Sequence, residues 1–333
     1  MSPSPEAVAH MEARRRLALA TAIAAHRAWR QLDRDNLHQS WMANVGNVLA
    51  LVVASQMRAA EMTSPWLNRL LGPENDDRPD ANRINPAAFA GVDGAGRPLG
   101  GVLMAPIWTA LRMVTAGRPI VQAMLAGQSL LDAIVQTAVA DVGRAADSVG
   151  MTARPGVTGY IRVVEGGACS RCIILAGAEY HTDKAFLRHP RCKCGMEPVT
   201  RDHTPDPPSP KQLVADMSEE QRRKTFGKDG AKALAEGADV GQLVNARRGM
   251  QSAVVYGHKL QITTEGTTRR GFAAHRLIAE KGAAKAGGSR FGEDTAKRLR
   301  SKTPRLMPEE IFRLADGNRE HAVRLLHLHG YIA

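Results

Sequence analysis

The sequence predicts a mainly α-helical protein with a small α+β module at its centre. Three observations carry that expectation. The chain is 44% hydrophobic but only 4% aromatic, so its apolar content is mostly Ala, Val and Leu, which favours helices meeting through small side chains. Apolar positions recur at intervals of three and four through most of the first 150 residues, the period of a helix with one apolar face. At 158–172, "TGYIRVVEGGACSRC" replaces that period with alternation and then a Gly-Gly turn, the pattern of a strand leading into a cysteine pair. At 333 residues the chain can bury a large core and divide into more than one domain.

The elements follow in order. Residues 1–151 form a helical assembly region. From Glu6 to Thr63 breakers are almost absent, and Leu17, Ala20, Ile23, Ala24 and Trp29 mark one face. Such a stretch is one very long helix, or two with a bend near Asn44–Asn47. A loop is expected at 72–86, "GPENDDRPDANRINP", rich in Pro, Asp and Asn. Helices are expected at 105–117 and 119–151, with Pro106 and Pro119 near first turns, where proline is tolerated. Residues 152–204 are a Cys-rich module, with a strand at 158–165. A Pro-rich linker at 205–211 marks a domain edge. Residues 212–333 are a basic helical region whose first helix opens with a Ser218–Gln221 capping box. Short Gly-separated helices follow, then two helices after Leu306, with Pro308 at a first turn.

Several classes of function are excluded or disfavoured. The longest apolar run, at 43–56, is too short and too polar for a membrane span, and no membrane partner is expected. The first residues lack a basic segment followed by an apolar one, so a reducing cytoplasm is the expected setting. No Walker A, dinucleotide-binding or HExxH motif is present. Ser129 sits in a helical pattern without a nucleophile elbow and reads as a surface residue. Of the formal net charge of +12, residues 210–333 contribute +9, from 23 basic and 14 acidic groups. That imbalance suits a polyanion such as DNA, or a solvated salt-bridged surface. Arg247, Arg248, Arg269 and Arg270 lie beside glycines and are the candidate contacts. Without interleaved aromatics, such binding would be non-specific and salt-sensitive.

All four cysteines fall between 169 and 194. Cys169-x2-Cys172 offers two thiolates to one zinc ion. Cys192-x-Cys194 and His189-x2-Cys192 offer the other side, giving five candidates for four tetrahedral places. Cys169, Cys172 and Cys192 form the expected set, completed by Cys194 or His189. A structural zinc would substitute for a core in a segment too small to fold easily alone. Two disulfides are the alternative that a reducing compartment disfavours, and a metal-free cluster of small apolar groups is another. A nuclease of the HNH type lacks its Asn, since residues 151–209 contain none. A cysteine nucleophile would need a neighbouring base, for which His181, His189 and His203 are the nearby histidines. No catalytic set is assigned.

"GYIRVVEGGACSRCIILAGAEY", a following Phe, "RHPRCKC" and a trailing "PV" together resemble the Mu F-like minor head protein family of tailed bacteriophages, in its actinobacteriophage form. Segments of the last third, including "FGKDGAKALAEGADVGQLVNARRGM" and "RLMPEEIFRLADGNREHAVRLLHLHGYI", resemble the C-terminal part of the same proteins. The family's cysteine motif falls on Cys169, Cys172, His189, Cys192 and Cys194, with Lys193 a departure from the acidic or polar residue expected there. The resemblance implies a minor capsid component at the portal vertex, inside the head of the virion and in the host cytoplasm during assembly. Its implied partners are the portal protein and the major capsid or scaffold protein. Members are often labelled capsid maturation proteases, so cleavage of the capsid or scaffold protein is the implied alternative. A zinc-containing DNA-binding module is a third reading, resting on charge and cysteines alone.

Overall fold

A computed structural model describes residues 3–72, 84–164, 167–186, 188–255, 258–263, 265 and 305–332. They divide into two compact units. The first comprises Met1–Ala168 and Ala176–Pro208, and the second Ser209–Ala333 with the short segment Cys169–Leu175.

The first unit is a helical bundle carrying a small sheet. Its helices are α1 (Pro5–Arg30), α2 (Leu37–Glu61), α3 (Thr63–Leu71), the single turn α4 (Leu99–Val102), α5 (Ala105–Thr115) and α6 (Ile120–Thr152). The α1–α2 break falls at residues 31–36, not at Asn44–Asn47 as the sequence predicted. Asp33, Asp35 and Asn36 explain the shift. The Asp35 N–H donates to Asp33 Oδ1 at 3.0 Å and the Asp33 N–H to Ser40 Oγ at 3.0 Å, turn bonds that compete with the helical ladder. Asn44 lies inside α2, where its amide donates back to the Ser40 carbonyl at 2.8 Å. Most of the expected loop at 72–86 lies outside the described residues. Its end is a 3₁₀ turn, Pro86–Phe89, capped by Asn85.

α6 is the central helix and packs against α1, α2, α3 and α5. By length and composition it is also apolar enough to cross a membrane, but it is the hub of the bundle core. Trp29 and Trp41, both fully buried, meet edge to face at 5.2 Å. Their indole N–H groups donate to the Met124 and Leu103 carbonyls, so burying these rings strands no donor. Gly127 makes room for one of them: a Cβ there would lie 2.3 Å from the Trp29 ring.

The sheet has the order β2-β1-β3, all antiparallel, from β1 (Gly159–Val163), β2 (Glu179–Tyr180) and β3 (Gly195–Val199). β1 falls within the predicted strand. β3 carries Pro198 opposite Tyr160, acceptable because β3 is an outer strand of this sheet and needs no second ladder.

In the second unit, α7 (Ser170–Ile173) is a single turn. It is followed in sequence by α8 (Pro210–Ala215), α9 (Glu219–Phe226), α10 (Lys228–Ala235), α11 (Val240–Ala246), α12 (Pro308–Ala315) and α13 (Arg319–Leu328). The Ser218–Gln221 capping box forms, and a second one, Ser209–Gln212, starts α8 at the end of the Pro-rich stretch. The fold class is the predicted one, with an addition. β4 (Met250–Val255), β5 (His258–Thr263) and β6 (Arg305–Leu306) form an antiparallel sheet in the region expected to be helical.

Candidate metal centre

β1 reaches the site through Arg162. This arginine is 1% exposed, and its guanidinium lies over the Phe186 ring, 4.3 Å from the centroid. One terminal nitrogen stands 3.5 Å from the Cys194 Sγ and 3.9 Å from the Cys192 Sγ. Both of those cysteines are buried. A guanidinium held against two sulfurs favours negative charge on them, the form in which thiols bind metal.

The loop that presents Cys192 and Cys194 is bound to α6 by charge. Arg188 Nε lies 2.6 Å from Asp141 Oδ1, and an Arg191 terminal nitrogen lies 2.7 Å from Asp132 Oδ2. The Arg191 guanidinium also donates to the Ser129 carbonyl, and its N–H to Thr137 Oγ1. Arg191 has φ +60°, a left-handed conformation that a side chain with a Cβ adopts only when its surroundings fix it. From α6, one Arg144 nitrogen donates to the carbonyls of both Cys192 and Cys194 at 3.2 Å, while another is 2.7 Å from Asp141. Nδ1 of His189 is 2.8 Å from the Pro190 carbonyl. Histidines that ligate metal are commonly held in this way through their other ring nitrogen.

The first pair sits on α7. Cys169 and Cys172 bracket this turn, with their sulfurs 3.5 Å apart, beyond the ~2.05 Å of a disulfide and close to the ~3.8 Å spacing of two thiolates on one tetrahedral zinc with 2.3 Å bonds. Cys169 is exposed and Cys172 buried.

Cys169 and Cys172 thus offer one pair of thiols, and Cys192 and Cys194 another, sulfur donors of the kind that suit zinc.

The other candidates behave differently. Arg247 donates to the Phe226 carbonyl at 3.0 Å and lies 2.6 Å from Glu309, so it ties α9 to α12. Arg248 is exposed. Arg269 and Arg270 lie outside the described residues. His181 is exposed beside Asp183 at 2.7 Å. His203 Nε2 is 3.1 Å from the buried Glu197, whose carboxylate also accepts from the N–H of Ser4, the residue capping α1.

A buried polar network on α1, α3 and α6 carried no signal in the sequence. Asp147 accepts from Arg14, from Thr63 Oγ1 at 2.9 Å and from His10 Nε2 at 3.2 Å. Arg14 donates further to Thr63 Oγ1 and to the Ala59 carbonyl. The His10 ring stacks on Trp66, 4.1 Å between centroids. Burial pushes the His10 pKa down despite the nearby Asp147. Burial opposes the charge on Asp147, but Arg14 and His10 hold its carboxyl below the usual range. Gly143 lets Arg14 cross α6, where a Cβ would lie 2.9 Å from Nε. An i, i+4 His-Arg pair with an Asp more than a hundred residues away has no recognisable spacing.

Residues 1–220 match the family model described as VG15 protein, and the chain belongs to that family, a family of phage proteins. No curated protein and no solved structure matches it.

Proposed function

We propose that this VG15-family phage protein is a minor capsid component acting in head morphogenesis at the portal vertex, with one structural zinc on its cysteine cluster. The observation that carries the reading is the coincidence of two features on the same residues. The segment resembling Mu F-like minor head proteins supplies all four cysteines, and those cysteines come as two thiol pairs of metal-binding composition. Three or four ligands from Cys169, Cys172, Cys192, Cys194 and His189 would hold the ion, which when bound cross-links the segment and does no chemistry. Support for an assembly role comes from the phage family and from a helical bundle whose polar clusters are engaged in packing.

The protease alternative is not favoured by any constellation among the described residues. The nearby histidines engage carboxylates or, for His189, a backbone carbonyl, and no Ser–His hydrogen bond is formed among the described residues. DNA contact rests on the charge of residues 210–333, with Arg248 as its described candidate.

The test is co-expression of the full chain with the portal and the major capsid protein. The proposal expects this chain to co-sediment with the portal and the intact mass of the capsid protein to be the same with and without it. Capsid trimming that depends on this chain would replace the assembly reading with the protease, and failure to co-sediment would remove the portal from the account.

A further inference from the structure

The second unit carries an unprotected strand edge. β4 is the outer strand of the sheet ordered β4-β5-β6, and among the described residues β5 is its one neighbour there. In an antiparallel ladder every second residue turns its N–H and C=O away from the partner, so half of β4's backbone groups face outward. Proteins blunt such edges with charge, proline, a bulge, shortness or a covering element. Met250–Val255 is six residues long and contains neither a charged residue nor a proline. Its register with β5 runs from Met250 against Thr263 to Val255 against His258 without a bulge.

The side chains narrow the choice of partner. Met250, Ser252 and Val254 share one face of the strand, by its two-residue period. Met250 is 46% and Val254 74% exposed, and Ser252 is exposed as well. Lys259, opposite Val254 on β5, keeps its charge one strand in from the edge. A strand added here has to set apolar side chains against positions 250 and 254, a small polar one against 252, and bring no charge. β4 itself meets that description. Two antiparallel copies related by a two-fold axis at Ser252 place Met250 of each against Val254 of the other, and the two Ser252 hydroxyls against one another. Matched apolar and hydroxyl pairs of this kind stabilise neighbouring strands, and an isologous contact of this kind closes as a dimer.

We propose that β4 is a self-association edge, through which two copies of this chain join their three-stranded sheets into one six-stranded sheet by strand addition. The proposal involves neither the cysteines nor the portal.

The test is analytical ultracentrifugation of the full chain from about 5 to about 200 µM, since one strand pair makes a small, weak interface. A monomer–dimer equilibrium is expected. Val254→Lys, which puts a charge on each copy at the junction, should weaken it by at least about ten-fold, and melting curves establish that the variant is folded. Ser252→Cys, treated with a short bis-maleimide and digested, should yield a peptide pair linked through position 252 of both copies. Amide exchange across 250–254 should slow as concentration rises. A chain that stays monomeric throughout, a dimer that Val254→Lys leaves intact, or a dimer without the 252–252 link would overturn the proposal. Protection of 250–254 that is independent of concentration would also overturn it, by assigning the edge to another segment of the same chain.

Discussion

In the bundle, a continuous buried cluster runs from Ala18 through Trp29, Trp41, Leu103 and Ile107 to Val139. In the sheet that follows the Cys192–Cys194 loop, the corresponding apolar cluster is Met11, Ile161 and Val163. The bundle needs no further explanation for its order, because burial at about 25 cal/mol per Å² accumulates over many side chains. The cysteine region adds the packed rings of Tyr160, Tyr180 and Phe186, a smaller apolar store than the bundle's. It relies on ion pairs of Arg188 and Arg191 with α6, on Arg144 at two carbonyls, and by proposal on a metal. The bundle is held by packing over many side chains, whereas the cysteine loop is tied to α6 by charge.

The comparison breaks first at the metal. Structural zinc contributes on the order of 10 kcal/mol to small modules, so Cys172→Ser, which removes the buried thiol of the first cysteine pair, should give the largest local effect. Hydrogen exchange should rise across 159–200 while α1, α2 and α5 keep their protection. Equal loosening of both would mean the two regions are not held separately. Trp29→Ala should do the reverse, costing about 3–5 kcal/mol in a urea melt while leaving metal content unchanged.

A third change probes the boundary. Asp147→Asn leaves Arg14 buried beside a neutral amide, and breaking a buried pair costs about 3–5 kcal/mol. The pH dependence carries the same information with a definite sign. His10 and Asp147 both have folded pKa values below their unfolded ones, so in both cases the unfolded chain binds more protons. Their contribution is full above about pH 6.5. It declines first as unfolded His10 protonates below that value, then again below about pH 4 through Asp147. His10→Gln should flatten the first decline in melting temperature between pH 7.5 and 5, and an unchanged slope would assign it elsewhere, for example to metal release. The smallest effect is expected from Arg191→Ala. This partly exposed pair is worth about 1 kcal/mol or less, detectable as faster zinc loss to a chelator before it is seen in a melt.

Much of the fold was legible because helices announce themselves by period and caps. Pro106, Pro119, Pro308 and Ser218 all stand at or next to helix starts, where single-residue chemistry decides the outcome. The α1–α2 break was misplaced because Asn44 and Asn47 resemble breakers by type, whereas Asp33 and Asp35 act through bonds to nearby groups. The β4–β5 hairpin was not anticipated. "QSAVV" and "HKLQIT" alternate only weakly and sit between helical segments, and their pairing is a non-local fact. The cysteines were legible as a set from spacing. Arg162, Arg144 and Arg188 were not, because an arginine on a strand or helix looks the same whether it faces solvent or a buried sulfur.

The most direct test is the mass of the full chain, purified without chelator from a zinc-supplemented reducing cytoplasm and measured under native and then denaturing conditions. One zinc per chain in the native spectrum, lost on denaturation to leave four reduced thiols, is the expected result. A metal-free native mass, or a denatured mass short of four hydrogens from two disulfides, would contradict the claim that coordination holds the cysteine region.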